Sequence, residues 1–116
     1  MTTHGARATT LDAVLREAGA AHVNFVKMDV DGHECGVLRG ARETLRQQPT
    51  ILMELAPYVL DETGASIEEL VQILAEAGYT LAELGSKRRI PLDGQAIRAL
   101  VPIGSSMNVL ATRANV

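Results

Sequence analysis

Three acids and a histidine crowd into one short stretch, VKMDVDGHE: Asp29, Asp31, His33 and Glu34, with Gly32 among them. Carboxylates two residues apart project to one side of an extended backbone. Gly32 permits a sharp exit from a strand into a helix. Acids placed there are tolerated electrostatically beside a helix N-terminus and can accept hydrogen bonds from a ligand's ammonium or hydroxyl groups. A further acid, Glu54, interrupts the apolar run ILMEL. An unpaired buried carboxylate costs several kcal/mol, so Glu54 must stand exposed at a strand end or find a partner.

Apolar spacing assigns the elements that hold these acids. Leu11, Val14, Leu15 and Ala18 form a helical stripe, opened by a Thr9/Asp12 capping box and stopped at Gly19. Val23 to Val30 is an almost continuous apolar run, the pattern of a central strand covered on both faces. Glu34 to Gln47 reads as one helix, with Val37, Leu38, Ala41 and Leu45 on its apolar face. Thr50 to Leu55 is a second buried-type strand between Pro49 and Pro57. Ser66 and Glu69 form a capping box for a helix carrying Ile67, Leu70, Val71, Leu74 and Ala77, ended by Gly78. Tyr79 to Leu84 is a third strand. Residues 85–105 are a long connection with a helical turn around Gln95 to Leu100, and Met107 to Thr112 is a last strand. This order predicts an α/β domain of right-handed crossovers ending in a hairpin-like pair. Such sheets bind ligands at the carboxyl ends of their parallel strands, where Asp29, Asp31 and Glu54 fall.

Composition narrows the partners. The 116 residues are 47% apolar and 22% charged, the balance of a folded domain. A formal charge of −3 and 3% aromatics offer little to phosphate backbones or stacked bases, so nucleic acid is not an expected partner. No apolar run approaches the roughly 18 residues that span a bilayer, and the polar opening MTTHGARATT holds no secretory h-region. One cysteine, Cys35, cannot close an intrachain disulfide, and burial as a small hydrophobe is its expected state. The expected compartment is the cytoplasm.

Three chemistries compete for the acidic strand end. Asp29, Asp31 and His33 could ligate a divalent cation, although Glu34 and Gly40 stand where an EF-hand loop needs Gly and Glu. DVDGH also resembles the DxDGT signature of haloacid dehalogenase phosphotransferases, with His33 in place of the hydroxyl residue. The third is a strand-end acid in a methyltransferase-like sheet, and far more of the chain carries it. TTLDAVLREAG, then VNFVKMDVDGHECGVLRGARETLRQQPTILMEL, then a helix ending AEAGY, then MNVLATR closely resemble the C-terminal half of FkbM-family methyltransferases. The likeness runs from about Thr9 to Arg113.

The resemblance implies an S-adenosylmethionine-dependent methyltransferase. Its fold would be a partial Rossmann-like sheet within residues 1–116, with parallel strands, a C-terminal antiparallel strand and helices on the faces. Lys27, Asp29, Gly32, His33, Glu34, Leu38, Gly40, Ala41 and Glu54 occupy matching positions. Asp29, Asp31, Glu54 and His33 are the implied catalytic or orienting residues, acting on a small-molecule or glycan hydroxyl. Asp31 stands where the family usually has Glu, and Gly36 where it usually has a charged residue. Such enzymes grip the cofactor with a Gly-rich turn after their first strand, and this chain has none. Gly32, Gly36 and Gly40 are spaced as a small-residue helical face. No residue is therefore assigned to cofactor binding and none to a metal. The chain is expected to be inactive alone, as a truncated domain that pairs with itself or with a missing N-terminal half. A non-catalytic partner-binding fragment is the alternative, and a metal-dependent DxD phosphohydrolase or glycosyltransferase the second.

Overall fold

The computed structural model describes residues 8–20 and 22–114. Helix α1 (Leu11–Glu17) leads into strand β1 (Phe25–Met28), followed by α2 (Glu34–Arg39), α3 (Arg42–Arg46) and β2 (Thr50–Leu55). Helices α4 (Pro57–Glu62) and α5 (Ile67–Glu76) precede β3 (Tyr79–Glu83) and the short β4 (Arg89–Ile90). Helix α6 (Gly94–Leu100) and β5 (Met107–Arg113) complete the order. The five strands form one mixed sheet in the order β1-β2-β5-β3-β4, a partial Rossmann-like α/β arrangement. β1 and β2 are parallel, while β5 runs antiparallel between β2 and β3.

Among the described residues, the sheet is covered on one side only. Val26, Ile51, Ala111, Leu81 and Ile90 form one cross-strand row, and all but Val26 at the edge are buried. One step along, Lys27, Leu52, Leu110 and Ala82 form the neighbouring row, which faces the other way. None of these four is buried. The helices make a single connected layer: α1 packs on α3, α3 on α2, α2 on α5, and α5 on α4 and α6. Their buried residues Leu38, Leu60, Ile67, Leu70, Leu74 and Ile97 join Ile51, Met53, Leu81 and Val109 in one core. The molecule measures 40 × 40 × 23 Å, and 23 Å is the depth of one sheet and one helix layer at about 10 Å each.

Several sequence expectations change here. The strand read as central and doubly covered stands at the sheet edge, with Phe25 54% exposed on the open face. An apolar run specifies that a strand wants two covering layers; it does not supply the second one. The single helix over residues 34–47 is broken at Gly40 and Ala41, where the carbonyl of Gly40 accepts from the Asp12 backbone N–H at 3.0 Å. A Cβ on Gly40 would lie 3.0 Å from the Thr10 side chain. Gly32 is outside any helix and Gly36 has open space beside it, so the three glycines do not form one packing face. The helical turn expected near 95–100 is a full helix whose cap is Asp93.

The α1 start also differs. Thr10, not Thr9, is the N-cap, accepting from the Ala13 N–H at 3.1 Å. Asp12 instead reaches across to α3, accepting from the backbone N–H groups of Glu43 and Thr44 at 2.9 Å each and from the Thr44 hydroxyl at 2.7 Å. It caps a helix whose own N-cap, Ala41, has no side-chain bond to give. Burial works to raise the Asp12 carboxyl, but these donors outweigh it and hold it below the ordinary carboxylate range. Asp12→Ala strands the buried Thr44 hydroxyl and is expected to cost about 2 kcal/mol. Thermal unfolding should show this as a Tm lower by roughly 10 °C.

Candidate functional site

The carboxyl ends of β1 and β2 lie side by side, because Met28 pairs in parallel register with Met53. The next residues in each strand are Asp29 and Glu54, and both open into one small cleft of about 30 Å³. Asp31, Gly32 and Glu34 line it from the turn that follows β1, and Ala56 and Val59 from the start of α4. Asp29, Asp31 and Glu54 are exposed, which meets the requirement that Glu54 be solvated or paired. Glu54 also stands opposite Asn108 across the β2–β5 pair. Lys27 makes no ion pair with Asp29 among the described residues; its side chain is on the open face of the sheet.

The turn after β1 is not extended. Asp31 has φ +47° and Gly32 φ +94°, so the two aspartates are not arranged as a simple two-residue strand repeat. His33 N–H donates to the Val30 carbonyl at 3.1 Å and closes the turn. The Gly32 N–H donates to Glu34 Oε2 at 3.2 Å, and the Gly32 carbonyl accepts from the Thr63 hydroxyl at 2.7 Å. Gly32 is pressed against α4 and the residue after it: a Cβ there would sit 2.7 Å from the Val59 carbonyl oxygen and 2.7 Å from Thr63 Cγ2.

Glu34 is 6% exposed. Burial pushes its carboxyl above the ordinary glutamate range, and the N–H groups of Gly32 and of Glu34 itself only partly oppose this. His33 occupies the N-cap position of α2 without a side-chain cap bond, and it is not among the residues lining the cleft. Among the described residues, no three His, Cys, Asp or Glu side chains stand close enough together to hold a metal ion. Cys35 is buried, and burial followed by the nearby Glu69 carboxylate pushes its thiol up to about 11, so it is no thiolate nucleophile.

Helix α4 is held in turn from behind. Arg98 on α6 donates to both carboxylate oxygens of Asp61 at 3.0 and 3.2 Å and to Glu68 on α5 at 2.9 and 3.1 Å. Hydrogen bonding from Arg98 lowers both acids below their ordinary range. Sequence reasoning found the acids of β1 and β2 but missed α4, Val59 and Thr63. The available signal was Pro57, which suits the first position of a helix as well as the end of a strand.

Residues 1–81 match the FkbM methyltransferase domain. The chain belongs to the FkbM methyltransferase family. No curated protein and no solved structure matches it. The match takes in β1, β2, the acidic turn and α5, and ends at Leu81. FkbM methyltransferases generally use S-adenosylmethionine, but the cleft at the acids does not form a seat for it. The cleft at the acids holds about 30 Å³, an order of magnitude below the roughly 300 Å³ or more of a typical small-molecule pocket. Gly32 offers no backbone cradle either, since the space a Cβ would take is filled by Val59 and Thr63. No helix among the described residues is long and apolar enough to cross a membrane.

Proposed function

We propose that this FkbM chain supplies the acceptor side of an O-methyl transfer site, acting on a hydroxyl of a small molecule or glycan. The observation that carries the reading is the meeting of Asp29 and Glu54 in one cleft at the carboxyl ends of two adjacent parallel strands. There Asp29 would accept a hydrogen bond from the acceptor hydroxyl and take up its proton, while S-adenosylmethionine, when bound, would supply the methyl group and leave as S-adenosylhomocysteine. Glu54 and Asp31 orient the same group from either side. A positioned base of this kind contributes about 10²- to 10⁴-fold. His33 stays outside the cleft.

The cofactor is S-adenosylmethionine, and its grip comes from a polypeptide segment seated beside β1 and over the open sheet face. Parallel strands are normally buried on both faces, and Phe25, Leu52 and Leu110 on the uncovered face supply apolar contact for such a segment. Alone, the 116-residue chain is inactive. A reducing cytoplasm suits its single buried thiol.

The test is transfer of labelled methyl from S-adenosylmethionine to a panel of hydroxylated small molecules and glycans. The expected result is no label with the chain alone, and label once a polypeptide carrying the Gly-rich strand and turn of an FkbM domain is added. Absence of transfer across the panel with that companion bound would sink the methyltransferase reading. The same open face favours a second reading, a non-catalytic module that associates with itself. Sedimentation decides between them: a dimer that persists when the companion is added, with no transfer, supports the second.

A further inference from the structure

The two polar groups of Gly32 are held by side chains from different elements. Its N–H is taken by Glu34, which opens α2, and its carbonyl by Thr63, which follows α4. Glu34 is nine-tenths buried, yet it makes no ion pair among the described residues. Burying a carboxylate that meets only backbone N–H groups is unfavourable unless those contacts fix something. What lies next to it is Asp31, a non-glycine residue in the left-handed region. Such a conformation costs of order 1 kcal/mol and persists only where the surroundings over-determine it.

We infer that Glu34 is a positioning residue, which with Thr63 clamps the turn that presents Asp29 and Asp31 to the cleft. Glu34 lines the cleft, but its Oε2 is engaged by the Gly32 N–H, and it acts on the aspartates through Gly32. The inference rests on the proposed role of the acidic wall for its functional meaning, while the clamp itself is a property of the turn. Its geometry ties the turn to α4: Val59 and Thr63 close on Gly32 from one side, Glu34 from the other. The parallel β1–β2 pairing sets Asp29 beside Glu54, and two hydrogen bonds and one van der Waals wall fix the turn that carries Asp31 against α4.

Nuclear magnetic resonance on the full chain tests this without any assay of methyl transfer. Two local readouts are followed: amide exchange at Gly32, and the N–H to Hα coupling of Asp31, which reports its positive φ. Glu34→Gln keeps an acceptor oxygen and should leave both near wild type. Glu34→Ala should speed Gly32 exchange about tenfold, the factor of one hydrogen bond, and average the Asp31 coupling. Thr63→Val should average the coupling as well, and Thr63→Ser should restore it. Amides of Leu81 and Val109 in the sheet should keep their protection throughout. Wild-type readouts at both positions in Glu34→Ala would overturn the clamp. So would a Glu34→Gln chain that behaves like Glu34→Ala. If Glu34→Ala fails to fold, the Thr63 pair decides, and an unchanged coupling in Thr63→Val refutes the inference. Failure of methyl transfer would leave these outcomes unmoved, so the two readings fall separately.

Discussion

Gly32→Ala is expected to destabilise the chain by about 3 kcal/mol, combining the left-handed cost of an L side chain with overpacking at a site that cannot open freely. The added methyl would meet the Val59 carbonyl oxygen and the Thr63 methyl at 2.7 Å. A flexible side chain could turn away, but a backbone carbonyl moves only with its helix. That helix is tied to α5 and α6 through Arg98. Circular dichroism melts should show a Tm lower by roughly 15 °C. Gly64→Ala provides the contrast. Gly64 has φ +84° but nothing within 4 Å of a Cβ, so only the conformational cost applies, about 1 kcal/mol. Equal losses at the two positions would mean that packing against α4 contributes nothing.

The second large effect concerns chemistry. In the companion-completed domain, Asp29→Asn should reduce label transfer by about 10²- to 10⁴-fold, the range expected on losing a positioned base. The side chain is exposed, so the melting temperature should hardly move. His33→Gln should leave transfer within a few-fold of wild type, because His33 is not in the cleft. Label transfer at saturating acceptor measures both. Unchanged transfer in Asp29→Asn, or a larger loss in His33→Gln, would move the chemistry away from the end of β1.

Local signals were legible in the sequence to the extent that local physics decided them. The Ser66/Glu69 capping box appears as read, with the Glu69 N–H donating to Ser66 Oγ at 3.1 Å. The parallel pairing of the two apolar runs follows from the helices between them, and it delivers Asp29 and Glu54 to one place. The hairpin-like ending is likewise present, with β5 inserted between β2 and β3. What stayed hidden depends on partners some thirty residues away. The break at Gly40 depends on Thr10 and Asp12, although apolar periodicity runs through it unbroken. The left-handed Asp31 precedes Gly32, whose carbonyl accepts from the Thr63 hydroxyl thirty-one residues on. The edge position of β1 was hidden for another reason: its composition describes a strand covered on both faces, and the residues that would cover it are not among those described here.

The proposed methyl-transfer site has these residues as one wall and takes its cofactor grip from across the open face of the sheet. Calorimetric titration of S-adenosylmethionine addresses it most directly, run first into the 116-residue chain and then into the chain with the Gly-rich companion. The predicted result is no binding in the micromolar range by the chain alone and one-to-one binding once the companion is present. Micromolar binding by the chain alone would contradict it.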